Sequence, residues 1–301
     1  MTMETHTLDT YTPSKKAYKL HYKIWGENNP PENTLVCVHG LTGNSGDFKY
    51  VGEYLSTRNN IRVVAIDMAG RNDSDYFDDP HDYNFTQYLT DLDSLLKEIG
   101  CTAPASCDWL GASMGGLLGF YIAARENSPI RRLILDDVGI EVPQADLQFI
   151  AQYITVTAEY EKIEDLVPLL KMTLGSPYSR GNMNEDQWLH FATTYLRKNA
   201  AGKYARNMDD KIAVMFQKEP LGKIDLMQLW EHIPQPTLAL RGGLSTLFPA
   251  KVAEKMQSTK VGDAMDLVII PDCGHIPSLY RDDQIEIIAK WLLRTQPLAA
   301  A

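Results

Sequence analysis

The sequence predicts an α/β protein: a doubly wound, mostly parallel sheet with an inserted helical cap. Three observations carry that reading. Short runs rich in valine, isoleucine and leucine recur between turn signals, without the alternation of a strand that has one wet face. Helical patterns fall between those runs. The alternation of strand and helix stops between about Pro143 and Ile233, where helical patterns follow one another. Strands covered on both faces belong to parallel sheets, and strand alternating with helix is how such a sheet is wound.

The elements follow in order. Y-K-L-H-Y-K-I-W-G (18–26) alternates and reads as an antiparallel edge strand. T-L-V-C-V-H-G (34–40) and I-R-V-V-A-I-D (61–67) read as buried strands. F-T-Q-Y-L-T-D-L-D-S-L-L-K-E-I-G (85–100) reads as a helix. Its apolar Tyr88, Leu89, Leu92, Leu95, Leu96 and Ile99 share one face, and Gly100 stands just past the end. C-D-W-L-G (107–111) is a strand, G-G-L-L-G-F-Y-I-A-A-R-E-N (115–127) a helix, and L-I-L-D-D (133–137) a strand. L-Q-F-I-A-Q-Y-I and W-L-H-F-A-T-T-Y-L lie in the inserted stretch, where no clear strand is visible. T-L-A-L-R-G-G (237–243) and D-L-V-I-I-P (266–271) return to the sheet. The closing helix, 282–294, opens with acids and ends on Arg294, as the helix dipole favours. Pro143 and the P-Q-P at 234–236 flank the insertion, which divides the chain into a core (1–140 and 234–301) and a cap (141–233). The final P-L-A-A-A is assigned no function.

Composition narrows the function. At 301 residues and 44% hydrophobic content the chain can bury a sizeable core. A net charge of −10 argues against nucleic acid or an anionic membrane as partner, because both attract basic surfaces. Cys37, Cys101, Cys107 and Cys273 show no C-x-x-C spacing, so buried reduced thiols are expected rather than zinc or disulfides. The first residues show no basic region followed by an apolar stretch, and no run approaches membrane-spanning length. The expectation is a soluble cytoplasmic protein acting on a small molecule.

Ligands of an open α/β sheet bind beyond the carboxyl ends of its strands. The notable residues fall there: His39-Gly40, Asp67 with Gly70-Arg71, Ser113, Asp136-Asp137, Gly242-Gly243 and His275. Gly111-Ala112-Ser113-Met114-Gly115 has a strand before it and a helix after it. Two glycines around one serine suit a turn too sharp for larger residues, which would present Ser113 beside a helix N-terminus. The bland alternative is an ordinary turn. A serine hydroxyl needs a base to take its proton, and imidazole suits that task. His275 has few rivals. His6 and His81 lie in polar segments, His21 in the alternating strand, and His190 and His232 in or beside the insertion. His39 precedes a turn glycine and is expected to bond locally.

The chain resembles the α/β-hydrolase fold superfamily in H-G-L-T-G-N (39–44), D-M-A-G-R-N-D-S-D (67–75), G-A-S-M-G-G (111–116) and the G-H at 274–275. That resemblance implies a Ser113 nucleophile and a His275 base. It also implies an oxyanion hole from the backbone N–H groups of Leu41 and Met114, a helical cap, and no metal or organic cofactor. The family's acid usually sits in a stretch like R-G-x-x-S-D, but here Thr246 stands where the aspartate is expected. The family's alternative acid follows the strand after the nucleophile helix, which points to Asp137, with Asp136 and Asp272 as rivals. A role limited to the strand end and the cap hinge is the competing reading of the Asp136-Asp137 pair. Arg71 could meet a substrate carboxylate or carbonyl, or pair with the acids at 73–79. Phe149, Tyr153, Tyr160, Tyr178, Trp188, Phe191, Tyr195 and Phe216 could line a pocket or simply fill the cap core. The function expected is a serine hydrolase of a small, largely apolar ester, thioester, amide or carbon–carbon bond beside a ketone, working through an acyl-enzyme. The alternatives are a lyase or transferase on the same scaffold, and a non-catalytic small-molecule receptor.

Overall fold

Apolar runs with no polar face can only be covered from both sides, and the central strands are so covered. The structure, a computed structural model, describes residues 2–175, 180–216 and 222–294. Strands β1 (Met3–Tyr11), β2 (Ala17–Trp25) and β3 (Thr34–Val38) open the chain. Helix α1 (Lys49–Arg58), β4 (Arg62–Asp67), α2 (Phe85–Glu98), β5 (Cys107–Ala112), α3 (Met114–Ala123) and β6 (Ile130–Asp136) follow. Then come β7 (Glu141–Val142), α4 (Gln144–Ile154), β8 (Glu159–Tyr160), α5 (Ile163–Leu174), α6 (Glu185–Tyr195), β9 (Leu196–Lys198), β10 (Tyr204–Arg206), β11 (Ile224–Asp225) and α7 (Met227–Trp230). The chain returns to the sheet with β12 (Thr237–Gly242), α8 (Ala250–Thr259), β13 (Met265–Ile270) and α9 (Asp282–Arg294).

Eight strands form one sheet in the order β1-β2-β4-β3-β5-β6-β12-β13. From β4 onward all neighbours are parallel, while β1–β2 and β2–β4 are antiparallel. The alternating strand at 18–26 is therefore antiparallel but not the edge. The edge is β1, paired with β2 from Met3↔Trp25 to Tyr11↔Ala17. Alternation reports one-sided burial, not position in a sheet, and β1 reads as polar because only Leu8 and Thr10 within it are buried.

Side chains alternate across the sheet. Val36, Val38, Val64 and Ile66 face the core shared with α2, α3 and α8. Leu35, Cys37, Val63 and Ala65 face the core shared with α1 and α9. All four cysteines are buried and free of disulfides. Among the described residues, no helix is long and apolar enough to cross a membrane.

The stretch between β6 and β12 holds helices but also two small ribbons, β8-β10-β9 and β11-β7. The sequence showed no strand there, because segments of two or three residues are too short to show a period. Helices α5 and α6 bury Leu166, Leu170, Trp188 and Phe191 in a third cluster that also takes in Tyr280.

Candidate active site

Strand β5 ends at Ala112 and helix α3 begins at Met114, so Ser113 alone makes the turn. Its φ of 49° and ψ of −112° lie in a region that L-residues seldom adopt. The turn depends on its glycines. A Cβ at Gly115 would lie 2.0 Å from the Val38 carbonyl oxygen, and one at Gly111 would lie 2.4 Å from that of Gly115. The Ser113 N–H donates to the Asp136 carbonyl (3.0 Å), and the Ser113 carbonyl accepts from the N–H groups of Gly116 and Leu117.

The loop after β13 carries His275 to this turn. Its Nε2 stands 3.0 Å from Ser113 Oγ, and its Nδ1 2.7 Å from Asp137 Oδ2. An ionised carboxylate only accepts, so Nδ1 carries the proton and Nε2 is left to accept from Oγ. Asp137 is fully buried. Its Oδ1 accepts the Gly242 N–H (2.8 Å), and its Oδ2 also accepts the Ser245 hydroxyl (2.7 Å). Neighbouring Asp136 does not reach the imidazole. Burial pushes its carboxyl well above the usual range, the Asp137 charge adds to this, and Oδ1 has no partner. Thr246 turns away and donates to Asp146 Oδ1 of α4 at 2.7 Å. Asp272 pairs with Arg281 and takes no part.

The loop after β3 lies against the serine. A Cβ at Gly40 would sit 3.5 Å from Ser113 Cβ and 3.7 Å from the Ala112 carbonyl oxygen. The backbone N–H groups of Leu41 and Met114 meet no acceptor among the described residues. They are the pair that could hold a developing oxyanion. His39 shapes this loop. Its Nδ1 donates to the Gly40 carbonyl (2.6 Å) and its Nε2 accepts the Met68 N–H (3.0 Å). Burial, with the Arg71 charge second, lowers its pKa to about 3 against the pull of the Gly40 bond.

Arg71 corrects two expectations. It is fully buried, so it cannot meet substrate, and it does not pair with the acids at 73–79. Its Nε donates to the Leu41 carbonyl (3.1 Å), and its Nη1 to the Ala69 carbonyl (2.7 Å) and the Tyr88 hydroxyl (2.6 Å). Its Nη2 lies 3.9 Å from Met114 Sδ. Arg71 thus ties together the two segments that supply the free amides. Carbonyl acceptors are invisible in a sequence, which is why the nearby acids looked like its partners.

Helix α6 sits over the same loop. His190 Nε2 is 2.9 Å from the Gly46 carbonyl, and Asn44 Nδ2 donates to the Thr194 carbonyl at 2.8 Å. Trp188 and Phe191 are core of the third cluster, and Phe149 is 69% exposed. The Tyr153 and Tyr195 hydroxyls bond to each other, and Tyr178 lies outside the described residues. The one His/Cys/Asp/Glu group among the described residues close enough to share a metal ion is Glu4, His6 and Glu27. It lies at the β1–β2 edge of the sheet, apart from Ser113. Gly242 was expected on the rim with Ser113 and Tyr88 only as helix core, while Ser245 was not singled out in the sequence. The serine in G-G-L-S (242–245) was the available signal.

The family model described as the alpha/beta hydrolase fold matches residues 33–282. A 3-hydroxybutyrate-oligomer hydrolase of Cupriavidus necator is 30% identical over 278 residues, covering 90% of this chain and 91% of its own. A pimeloyl-acyl-carrier-protein methyl ester esterase of Aliivibrio fischeri is 24% identical over 277 residues, covering 88% of this chain and 93% of its own. The crystal structure of an alpha/beta hydrolase from Novosphingobium aromaticivorans is similar with a TM-score of 0.80 at 30% identity, covering 97% of this chain and 99% of that one.

Proposed function

This chain belongs to the α/β hydrolase fold family, and from that premise we propose that it is a serine hydrolase of carboxylic esters. One observation carries the proposal: the unbroken relay from Ser113 Oγ to His275 Nε2 (3.0 Å) and from His275 Nδ1 to Asp137 (2.7 Å). His275 Nε2 takes the Oγ proton as Oγ bonds to the ester carbonyl carbon. The oxygen that gains charge is received by the Leu41 and Met114 N–H groups. Collapse breaks the bond to the alcohol, which leaves with the proton from His275 and leaves an acyl group on Ser113. Water then gives a proton to His275 and attacks the acyl carbon, and the acid departs as Oγ recovers its proton. Asp137 holds the imidazole in the reactive tautomer and steadies its charged form.

The substrate is a small ester, its acyl part largely apolar. Two relatives support an ester in particular. One is named for methyl ester cleavage. The other is named for an oligomer of a hydroxy acid, and such oligomers are joined by esters. The stretch 141–233 acts as the cap, with α6 seated on the loop that bears Leu41. The test uses p-nitrophenyl butyrate and a fluorophosphonate probe. Wild type is expected to release p-nitrophenol and to carry one adduct on Ser113, and Ser113→Ala to do neither. Turnover that survives in Ser113→Ala, or an unlabelled wild type that releases no p-nitrophenol, would overturn the proposal.

A further inference from the structure

Just after β10 the inserted stretch comes down on the core as a short extended segment, Asn207-Met208-Asp209. It pairs with Gly70-Arg71-Asn72, which follows β4. Met208 bridges Arg71 in antiparallel fashion. The Asn72 N–H donates to the Asn207 carbonyl (3.1 Å), and the Asp209 N–H to the Gly70 carbonyl (2.8 Å). The backbone on both sides of Arg71 is thus held by the insertion. Met208 is buried in the main core, so this pairing is an interior contact.

Two side chains carry the pairing on to the loop after β3. Arg71 Nε donates to the Leu41 carbonyl at 3.1 Å. Asn207 Nδ2 donates to Asn72 Oδ1 (2.7 Å), and Asn72 Nδ2 to Asp67 Oδ2 (2.8 Å). The other oxygen, Asp67 Oδ1, accepts the Ser45 N–H at 2.6 Å. Loop 41–45 is therefore gripped at both ends, the Leu41 carbonyl by Arg71 and the Ser45 N–H by Asp67. Asn207 Nδ2 also reaches the Thr194 carbonyl (3.3 Å), which accepts Asn44 Nδ2 as well (2.8 Å). Arg71, Asp67 and Asn207 are all buried, where a lost partner is not replaced by water. What the grip fixes is direction. The peptide before Leu41 carries the N–H that would receive the oxyanion, and the peptide after it carries the carbonyl that Arg71 holds. The same loop lies against the nucleophile, a Cβ at Gly40 falling 3.5 Å from Ser113 Cβ.

We propose that Asn207 is a positioning residue for the reaction: through the 70–72 segment it aims the Leu41 N–H, so the oxyanion hole is complete only while the insertion is seated. This rests on the ester-hydrolase reading above. Mere attachment of the insertion has other routes, since Lys211 Nζ donates to the Phe77 carbonyl and Gln187 Nε2 to the Tyr280 carbonyl. Asn72 adopts a φ of 46°, a left-handed conformation that asparagine tolerates, and its one amide meets Asp67 and Asn207 together.

The test uses Asn207→Ala and Asn72→Gly. The second removes the amide yet leaves a residue at ease with a positive φ. In both, kcat on p-nitrophenyl butyrate should fall about 10- to 100-fold while KM changes less than about threefold, the pattern of a misaimed donor. A readout beside turnover is inhibition by an alkyl trifluoromethyl ketone. Ser113 Oγ bonds to its carbonyl carbon, His275 takes the Oγ proton, and the former carbonyl oxygen carries its negative charge into the hole. Its inhibition constant should rise by a factor similar to the loss in kcat. Lys211→Met, which cuts an attachment away from the loop, should stay close to wild type in both readouts. The two amide variants break one relay at different residues, so either alone decides, with near-UV circular dichroism reporting the fold. Unchanged kcat, a loss carried by KM alone, an unmoved inhibition constant, or an equal loss in Lys211→Met overturns the assignment. Turnover by wild type alongside any of these leaves the ester reading standing, whereas a wild type that cleaves no ester removes both.

Discussion

Lowering the pH from 7 to 5 should cost this protein about 2 kcal/mol of stability through one side chain, His39. The imidazole is fully buried and its tautomer is fixed from both sides, Nδ1 donating to the Gly40 carbonyl and Nε2 accepting from the Met68 N–H. A second proton would sit on Nε2, facing a donor, with the Arg71 charge close by. The pKa is accordingly lowered from 6.5 to about 3. The unfolded chain therefore binds a proton at His39 below pH 6.5 while the folded chain does not, so stability contributed by the neutral form is lost as pH falls. From pH 7 to pH 5 the loss works out at about 2 kcal/mol, and it hardly changes if the folded value is nearer 4. Other groups act in the opposite sense. Burial raises Asp91 to about 7, against its bonds from Tyr18 and Gln87, and it raises Asp67 and Asp136 too. These carboxyls hold their protons longer when folded and favour the folded state as pH falls.

The decisive quantity is thus the difference between wild type and His39→Gln, in which the carboxyl contributions cancel. Urea unfolding at pH 7, 6 and 5, followed by tryptophan fluorescence, supplies it. Wild type should lose about 2 kcal/mol relative to the variant between pH 7 and 5. A difference below about 0.5 kcal/mol, or one of opposite sign, would refute the neutral, doubly bonded His39.

Two further outcomes follow from the site. Asp137→Asn should lower kcat on p-nitrophenyl butyrate by about 10³- to 10⁴-fold, whereas Asp136→Asn should cost less than about tenfold; steady-state kinetics of the pair decides which aspartate serves His275. Gly115→Ala would bring a Cβ to 2.0 Å from the Val38 carbonyl, a collision with backbone that no rotamer relieves. It should destabilise the fold by about 3 kcal/mol or more, read as a depressed Tm in a thermal scan.

The sheet was legible because its central strands are apolar without interruption, and a run such as Thr34–Val38 has one way to be covered. The edge strand β1 was not legible, since M-E-T-H-T-L-D-T-Y buries too little to show a pattern. The elbow at Ser113 could be read because its geometry demands glycine, and glycine is visible as a letter. The surroundings of Arg71 and His39 could not, because both bond chiefly to backbone groups that every residue possesses. Asp137 was preferred in sequence, but Asp136 stayed a rival for a related reason. Adjacent side chains diverge, but which of them turns toward the histidine is set by a local backbone twist, here a φ of 51° at Asp137.

That twist also accounts for Thr246 standing where an acid is usual. Strands β6 and β12 are neighbours in register, Asp136 opposite Leu240, and the Asp137 N–H bonds the Leu240 carbonyl at 2.8 Å. The ends of the two strands therefore open onto the same space, and a carboxylate leaving either one can fill it. Asp137 leaves from β6, but the groups that hold it, the Gly242 N–H and the Ser245 hydroxyl, belong to β12 and the turn beyond it. What the imidazole requires is a buried acceptor beyond β12, fixed from two sides, and the chain that delivers it is immaterial. With that place filled, a second carboxylate at 246 would add only repulsion between like charges, and the threonine is free to bond Asp146 of α4 instead.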